Sequence, residues 1–159
     1  TGTVYRYFKS KEKLYYQILL EKGRIYFREI QTVVSGGEGP QQKIESYVRG
    51  KVHFIFENAV FMQIYLKEIL SQKGGCRKPP QELEKEYELL MSGLRETLEQ
   101  GIASGDFQKQ DVDLTVTVLT RVVHEVCLDA IEKDDGAYNE RYVTDYLINF
   151  IKTGLIVSS

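Results

Sequence analysis

The stretch Gly2-Thr-Val-Tyr-Arg-Tyr-Phe-Lys-Ser-Lys-Glu-Lys-Leu14 decides how this chain is read. Thr1 to Phe8 read as the end of a helix. Ser10 then reads as an N-cap, because its hydroxyl can accept a hydrogen bond from an otherwise orphaned amide of the following turn. Glu12 places a negative charge at the positive end of that next helix. A helix is therefore expected from Lys11 to about Val34, with Leu14, Ile18, Ile25, Phe27 and Ile30 on its apolar side and Gly23 interrupting it.

The charge is uneven along the chain. Arg6, Lys9, Lys11, Lys13, Lys22, Arg24 and Arg28 face only Glu12 and Glu21 within residues 1–28, a balance of +5. With a net charge of −2 overall, the other 131 residues carry −7. A basic end on an acidic body suits a negatively charged partner at that end, although clustering on a solvated helix face reads equally well.

Downstream the pattern stays helical. Ser35-Gly-Gly-Glu-Gly39 is a loop, and Pro40 suits the first position of a helix that carries Ile44, Val48, Val52, Ile55 and Ala59. Asn58 marks a break before a short helix from about Val60 to Leu70. Lys73-Gly-Gly-Cys-Arg-Lys-Pro-Pro80 is a basic loop. A helix from about Gln81 to Ala103 follows, with Leu83, Tyr87, Leu90, Leu94 and Leu98 on one side, and Ser104-Gly-Asp-Phe107 turns the chain. Asp111 caps a helix to about Lys133, and Asn139 or a neighbour opens the last one, to about Val157. Val112, Val116, Leu119, Val123, Val126 and Ala130 recur at the spacing of helix-on-helix packing. Leu114, Val118, Val122 and Ile131 point elsewhere, so this helix is expected to lie between two surfaces. The chain's own core is expected on one surface and a partner subunit on the other, and spacing alone does not say which stripe serves which. The fold class expected is all-α.

Apolar residues make up 42% and charged residues 28% of 159, a composition that argues against disorder. No apolar run is long enough to span a membrane, and no leader sequence is visible. Cys76 and Cys127 lie far apart and read as reduced thiols, which points to the cytoplasm.

The segment from Gly2 to Leu14 closely resembles the end of the helix-turn-helix of the tetracycline-repressor (TetR) family. There it forms the second half of the recognition helix, a tight turn and the start of the fourth helix. Gln100-Gly-Ile-Ala-Ser-Gly-Asp-Phe107 is similar to the turn between the family's seventh and eighth helices. The resemblance implies that residues 1–12 are the remnant of a DNA-binding domain whose first two helices precede this sequence. It also implies that 13–159 form a ligand-binding and dimerisation domain. Thr3 and Tyr5 would then meet phosphates, Arg6 and Tyr7 a base edge or the backbone, and Lys11 a phosphate. Val4 and Phe8 would anchor the helix from beneath. The expected protein is a ligand-responsive regulator, most simply a repressor released from its operator by a small apolar or aromatic molecule. Operator DNA is a partner of the complete protein only. A homodimer is expected through the helices at about 111–133 and 139–157. The alternative is a helical sensing or protein-interaction module that does not itself bind DNA.

Catalytic patterns are absent from the sequence. There is no nucleophile elbow and no glycine-rich phosphate loop, so an enzyme, a cofactor and catalytic residues are not expected. His124 and Cys127 share a helix face at the spacing of metal ligands, but a single such pair does not make a metal site. For a ligand pocket, the polar candidates are His53, Asn58, Tyr65, Tyr87, Arg121 and His124, with Gln63 beside them. Phe54, Phe61, Met62 and Met91 are candidate walls. Each also has a plainer reading as a core or surface residue. His53 and His124 are the preferred polar handles, since a neutral imidazole offers one donor and one acceptor. Gly50 and Gly93, inside helices, signal either close packing or room for a ligand.

Overall fold

The computed structural model describes residues 11–36, 39–65, 80–133 and 136–155. These residues form helices and no β-strand. The order is α1 (Lys11–Val34), α2 (Pro40–Glu57), α3 (Ala59–Tyr65), a 3-10 turn (Gln81–Leu83), α4 (Glu84–Ser104), α5 (Val112–Lys133) and α6 (Glu140–Leu155). The DNA-contact candidates Thr3, Tyr5, Arg6 and Tyr7 lie outside the described residues, as does Cys76. The expected helix to Leu70 is described as far as Tyr65. The boundary expected after residue 12 falls inside the first turn of α1.

Local chemistry sets the ends of these helices. Pro40 opens α2, where its missing N–H costs nothing. The Asn58 side chain turns back and donates to the Phe54 carbonyl at 2.8 Å, which closes α2. α4 ends on Gly105 at φ 82°, a left-handed position that glycine adopts without strain. The Phe107 amide then donates to the Gly101 carbonyl at 2.9 Å. Asp111 accepts from the Leu114 amide at 2.9 Å and Asn139 from the Tyr142 amide at 3.0 Å, capping α5 and α6. At the other end of α5, Gln63 of α3 donates to the Ile131 carbonyl at 2.7 Å and so satisfies one acceptor of the last turn.

α2 is the axis of the bundle, packed against α1, α3, α4, α5 and α6. Its Tyr47, Val48, Val52 and Ile55 are buried together with Ile30 of α1, Leu94 and Leu98 of α4, Val123 and Cys127 of α5, and Leu147 of α6. Leu83 of the 3-10 turn closes the core beside Gly23, where any Cβ would collide with it. A Cβ on Gly50 would likewise strike Ile30, so close packing of α1 on α2 is what this glycine serves. Polar ties lock the periphery. Tyr16 donates to Glu82 at 2.7 Å, Lys152 pairs with Glu45 at 2.7 Å, and Arg95 pairs with Asp113 at 2.7 Å.

The faces of α5 divide differently from the spacing: of the second stripe only Leu114 and Val118 stand outward, while Ile131 is buried and Val122 packs half-buried against the core, because the helix turns both toward its neighbours. Val116, Leu119, Val123 and Ala130 are buried, and Val112 and Val126 are half-buried against the core, so this stripe faces inward. Leu114 and Val118 stand 64% and 56% exposed, and Tyr142, Tyr146 and Phe150 of α6 are each more than half exposed. Tyr146 and Phe150 stack in parallel with ring centroids 6.4 Å apart, while Tyr138 meets Tyr142 edge-on at 5.9 Å. The result is an aromatic stripe one helix face wide on the outside of the bundle.

Candidate functional site

One face of α2 presents Tyr47, Lys51 and Phe54, spaced four and three residues apart as helical neighbours must be. α1 brings Tyr26 and Phe27 to this face, α4 brings Tyr87, and α5 brings His124 and Cys127. The Tyr26 and Tyr47 side chains lie close enough to influence each other's titration. The Lys51 ammonium sits over the Tyr26 ring, 4.4 Å from its centroid, a cation–π contact. Tyr26 also packs against Phe54 at 4.8 Å and Phe27 at 5.1 Å, and Phe27 meets Tyr87 edge-on at 6.3 Å. An arc of four aromatic rings therefore runs beside a single cation.

The electrostatics of the cluster follow from its dryness. Burial drags the Lys51 ammonium down to about 8. His124 falls to about 4, first because it is desolvated and second because Lys51 repels a second positive charge. Burial pushes the Cys127 thiol up to about 12 and raises both Tyr26 and Tyr47. At neutral pH the site thus holds one ammonium and otherwise uncharged groups. No carboxylate pairs with Lys51 among the described residues, and the buried Nδ1 of His124 has no hydrogen-bond partner. Orphaned buried polar atoms are rare in folded proteins, and each asks for an explanation such as a functional role.

The structure sorts the sequence-derived candidates. Phe54, Tyr87 and His124 meet in this cluster. Met91 is buried one turn along α4 from Tyr87, Met62 is buried on α3, and Phe61 is half-buried against the core. Asn58 is buried, but its amide is committed to the end of α2. His53 is directed to the surface, where it bonds Glu140 at 3.0 Å and lies 3.8 Å from Glu57; its pKa is raised by the Glu140 bond. Arg121 is exposed on the outer face of α5. Lys11 opens α1, and its side chain, like that of Tyr65, lies outside the described residues. Lys51, Tyr26 and Tyr47 are absent from the sequence-derived candidates. The signal was present for them: Tyr47, Lys51, Phe54 and Asn58 are spaced four, three and four, so a lysine sits on the seam of a packed helix.

Two clefts lie away from this cluster. One, of about 10 Å³, is lined by Ile44, Val48, Phe107, Ile148 and Ile151 among others. The other is an open groove of about 410 Å³ where Arg49 and His53 of α2 face Glu140, Arg141, Thr144 and Asp145 of α6. Neither is lined by Lys51.

Residues 37–128 match the family model described as the tetracyclin repressor-like C-terminal domain, and the chain belongs to that family of ligand-responsive transcriptional regulators. Solved structures agree on the fold. The ketosteroid transcriptional regulator KstR2 of Mycobacterium tuberculosis superposes with a TM-score of 0.75 at 18% identity, over 99% of this chain and 79% of that one. A regulatory protein of the tetR family from Rhodococcus RHA1 gives 0.72 at 17% identity, over 99% and 80%. The TetR family regulator PfmR from Thermus thermophilus gives 0.70 at 19% identity, over 99% and 80%. No curated protein sequence matches the chain significantly. Among the described residues, no helix is long and apolar enough to cross a membrane.

Proposed function

We propose that this chain is the sensing and dimerising part of a homodimeric repressor, released from its operator by a small, largely apolar molecule bound between α1, α2, α4 and α5. The observation that carries this reading is the path of α1. Its Tyr26 and Phe27 stand in the buried cluster, and its first residue, Lys11, directly follows the segment that resembles the end of a recognition helix. A helix of 24 residues is a rod about 36 Å long. A ligand that displaces Tyr26 tilts that rod and changes the separation of the two reading heads in a dimer. Phe54, Tyr87, Met91 and His124 contribute to the pocket. His53 and Arg121, at the surface, fit it poorly. Thr3, Tyr5, Arg6, Tyr7 and Lys11 contact the DNA in the complete protein.

Selection from a random duplex library with the complete protein tests the reading. We expect a roughly palindromic site, as a twofold dimer presents two like heads. Lys11→Ala should weaken binding to all sequences equally and reduce the salt slope by about 0.9, the signature of one lost phosphate contact. A sequence-selective loss overturns the phosphate role of Lys11. Failure to enrich any sequence favours the sensing module without DNA binding.

A further inference from the structure

We propose that the effector carries a single carboxylate, seated between Lys51 and His124, on an apolar body that lies along Tyr26, Phe27, Phe54 and Tyr87. The proposal rests on the pocket reading above and goes beyond it by assigning the ligand's charge.

The site is short of acceptors. The Lys51 ammonium has three N–H donors and no acceptor. Near it stand the Tyr26 ring from α1, Tyr47 one turn away on its own helix, and His124 and Cys127 from α5. Burial holds Tyr26, Tyr47 and Cys127 in their neutral forms, so none of the three supplies a negative charge at neutral pH. The buried His124 Nδ1 has no hydrogen-bond partner among the described residues. A half-buried cation with no carboxylate partner among the described residues is costly, and so is an orphaned imidazole nitrogen. One carboxylate answers both: one oxygen takes the ammonium, and the other accepts from His124 in the tautomer that carries the proton on Nδ1.

Other charges fit less well. A cationic ligand meets the repulsion that already holds His124 neutral. A dianion finds one cation and leaves a net negative charge in a dry site. A neutral alcohol can accept from Lys51, but gains less from it, since hydrogen bonds between charged groups are the stronger ones. The aromatic arc accounts for the apolar body, because pockets of this kind are mainly hydrophobic with a few polar groups that set orientation.

Matched probes test the assignment by calorimetry on the purified protein: octanoate against octanol, decanoate against decanol, and 4-phenylbutyrate against 4-phenylbutanol. At least one acid is expected to bind about ten-fold or more tightly than its alcohol, the scale of one charge-assisted hydrogen bond. Its affinity should fall as pH rises past about 8, where free Lys51 loses its proton, while the alcohol's stays flat. Lys51→Met should abolish the preference, and Lys51→Arg should retain part of it. If Lys51→Met does not fold, the pH dependence of the unaltered protein carries the test. Equal binding of acid and alcohol, tighter binding of the alcohol, or a preference undiminished in Lys51→Met overturns the acidic ligand and leaves the pocket standing. Silence from every acid and every alcohol overturns the pocket reading together with the ligand class.

Discussion

Lys51 is the residue at which stability and binding pull in opposite directions. Apolar neighbours one residue and one turn away, Val48, Val52 and Ile55, are fully or almost fully buried, and the half-buried lysine among them holds its charge beside a poor solvent. Its pKa drops from 10.5 to about 8 in the folded state. The unfolded chain therefore binds more protons between those two values, and this residue's contribution to stability rises with pH across that window. At neutral pH it is a net cost. Lys51→Met, which keeps the length of the side chain and removes the charge, should stabilise the unliganded protein at pH 7 by roughly 1–3 kcal/mol, since each tenfold change in the protonation equilibrium is worth about 1.4 kcal/mol. The gap between the two proteins should narrow by pH 10. Urea denaturation at both pH values measures it. A Met variant less stable at pH 7 would mean that the cation gains more from the Tyr26 ring than it loses on burial.

Among the helices, α4 shows most clearly how an end is built. Gly101 lies against the buried Phe107, whose own amide returns to the Gly101 carbonyl at 2.9 Å. A methyl group on residue 101 would enter the Phe107 ring. Gly101→Ala should therefore destabilise by about 1–3 kcal/mol, the cost of overpacking, even though alanine gains up to ~1 kcal/mol in helix propensity. Asp111→Ala removes one cap from α5 and leaves its amide to water, with an expected loss of about 1 kcal/mol. The two variants report on the same connection between α4 and α5, and chemical denaturation should rank Gly101→Ala as the worse. The reverse order would show that Phe107 relaxes into solvent at little cost.

At the scale of the whole molecule, the outer stripe of Leu114, Val118, Tyr142, Tyr146 and Phe150 calls for a cover. We expect α5 and α6 to meet their twofold mates there in a four-helix bundle that buries at least ~1,000 Å² in total. Tyr146→Asp places a charge in the middle of that stripe. Because Tyr146 is 55% exposed in the single chain, the variant should fold normally yet sediment as a monomer. It should also lose operator affinity in the complete protein, since two linked half-sites bind more tightly than one. A Tyr146→Asp variant that remains dimeric by ultracentrifugation would move the interface elsewhere.

The sequence by itself determined the helices. Pro40, Asn58, Gly105, Asp111 and Asn139 punctuate the chain through φ preference and side-chain capping, both of which act within a few residues, and the helix bounds were legible for that reason. The family was legible in the same way, from a short contiguous segment. The faces were not. The stripe from Val112 to Ala130 and the one through Leu114 and Val118 are both apolar, and only the packing of α5 against α2 decides which is core. Nor was the polar cluster legible. His53 and His124 were equal as sequence candidates, yet the rotation of α2 sends one to Glu140 at the surface and the fold brings the other within electrostatic reach of Lys51. Tyr26 and Lys51 are 25 positions apart, and no local rule brings a ring under an ammonium at that distance. Burial arises when helices distant in sequence close on one another, and the charge, tautomer and partners of a side chain are settled only then.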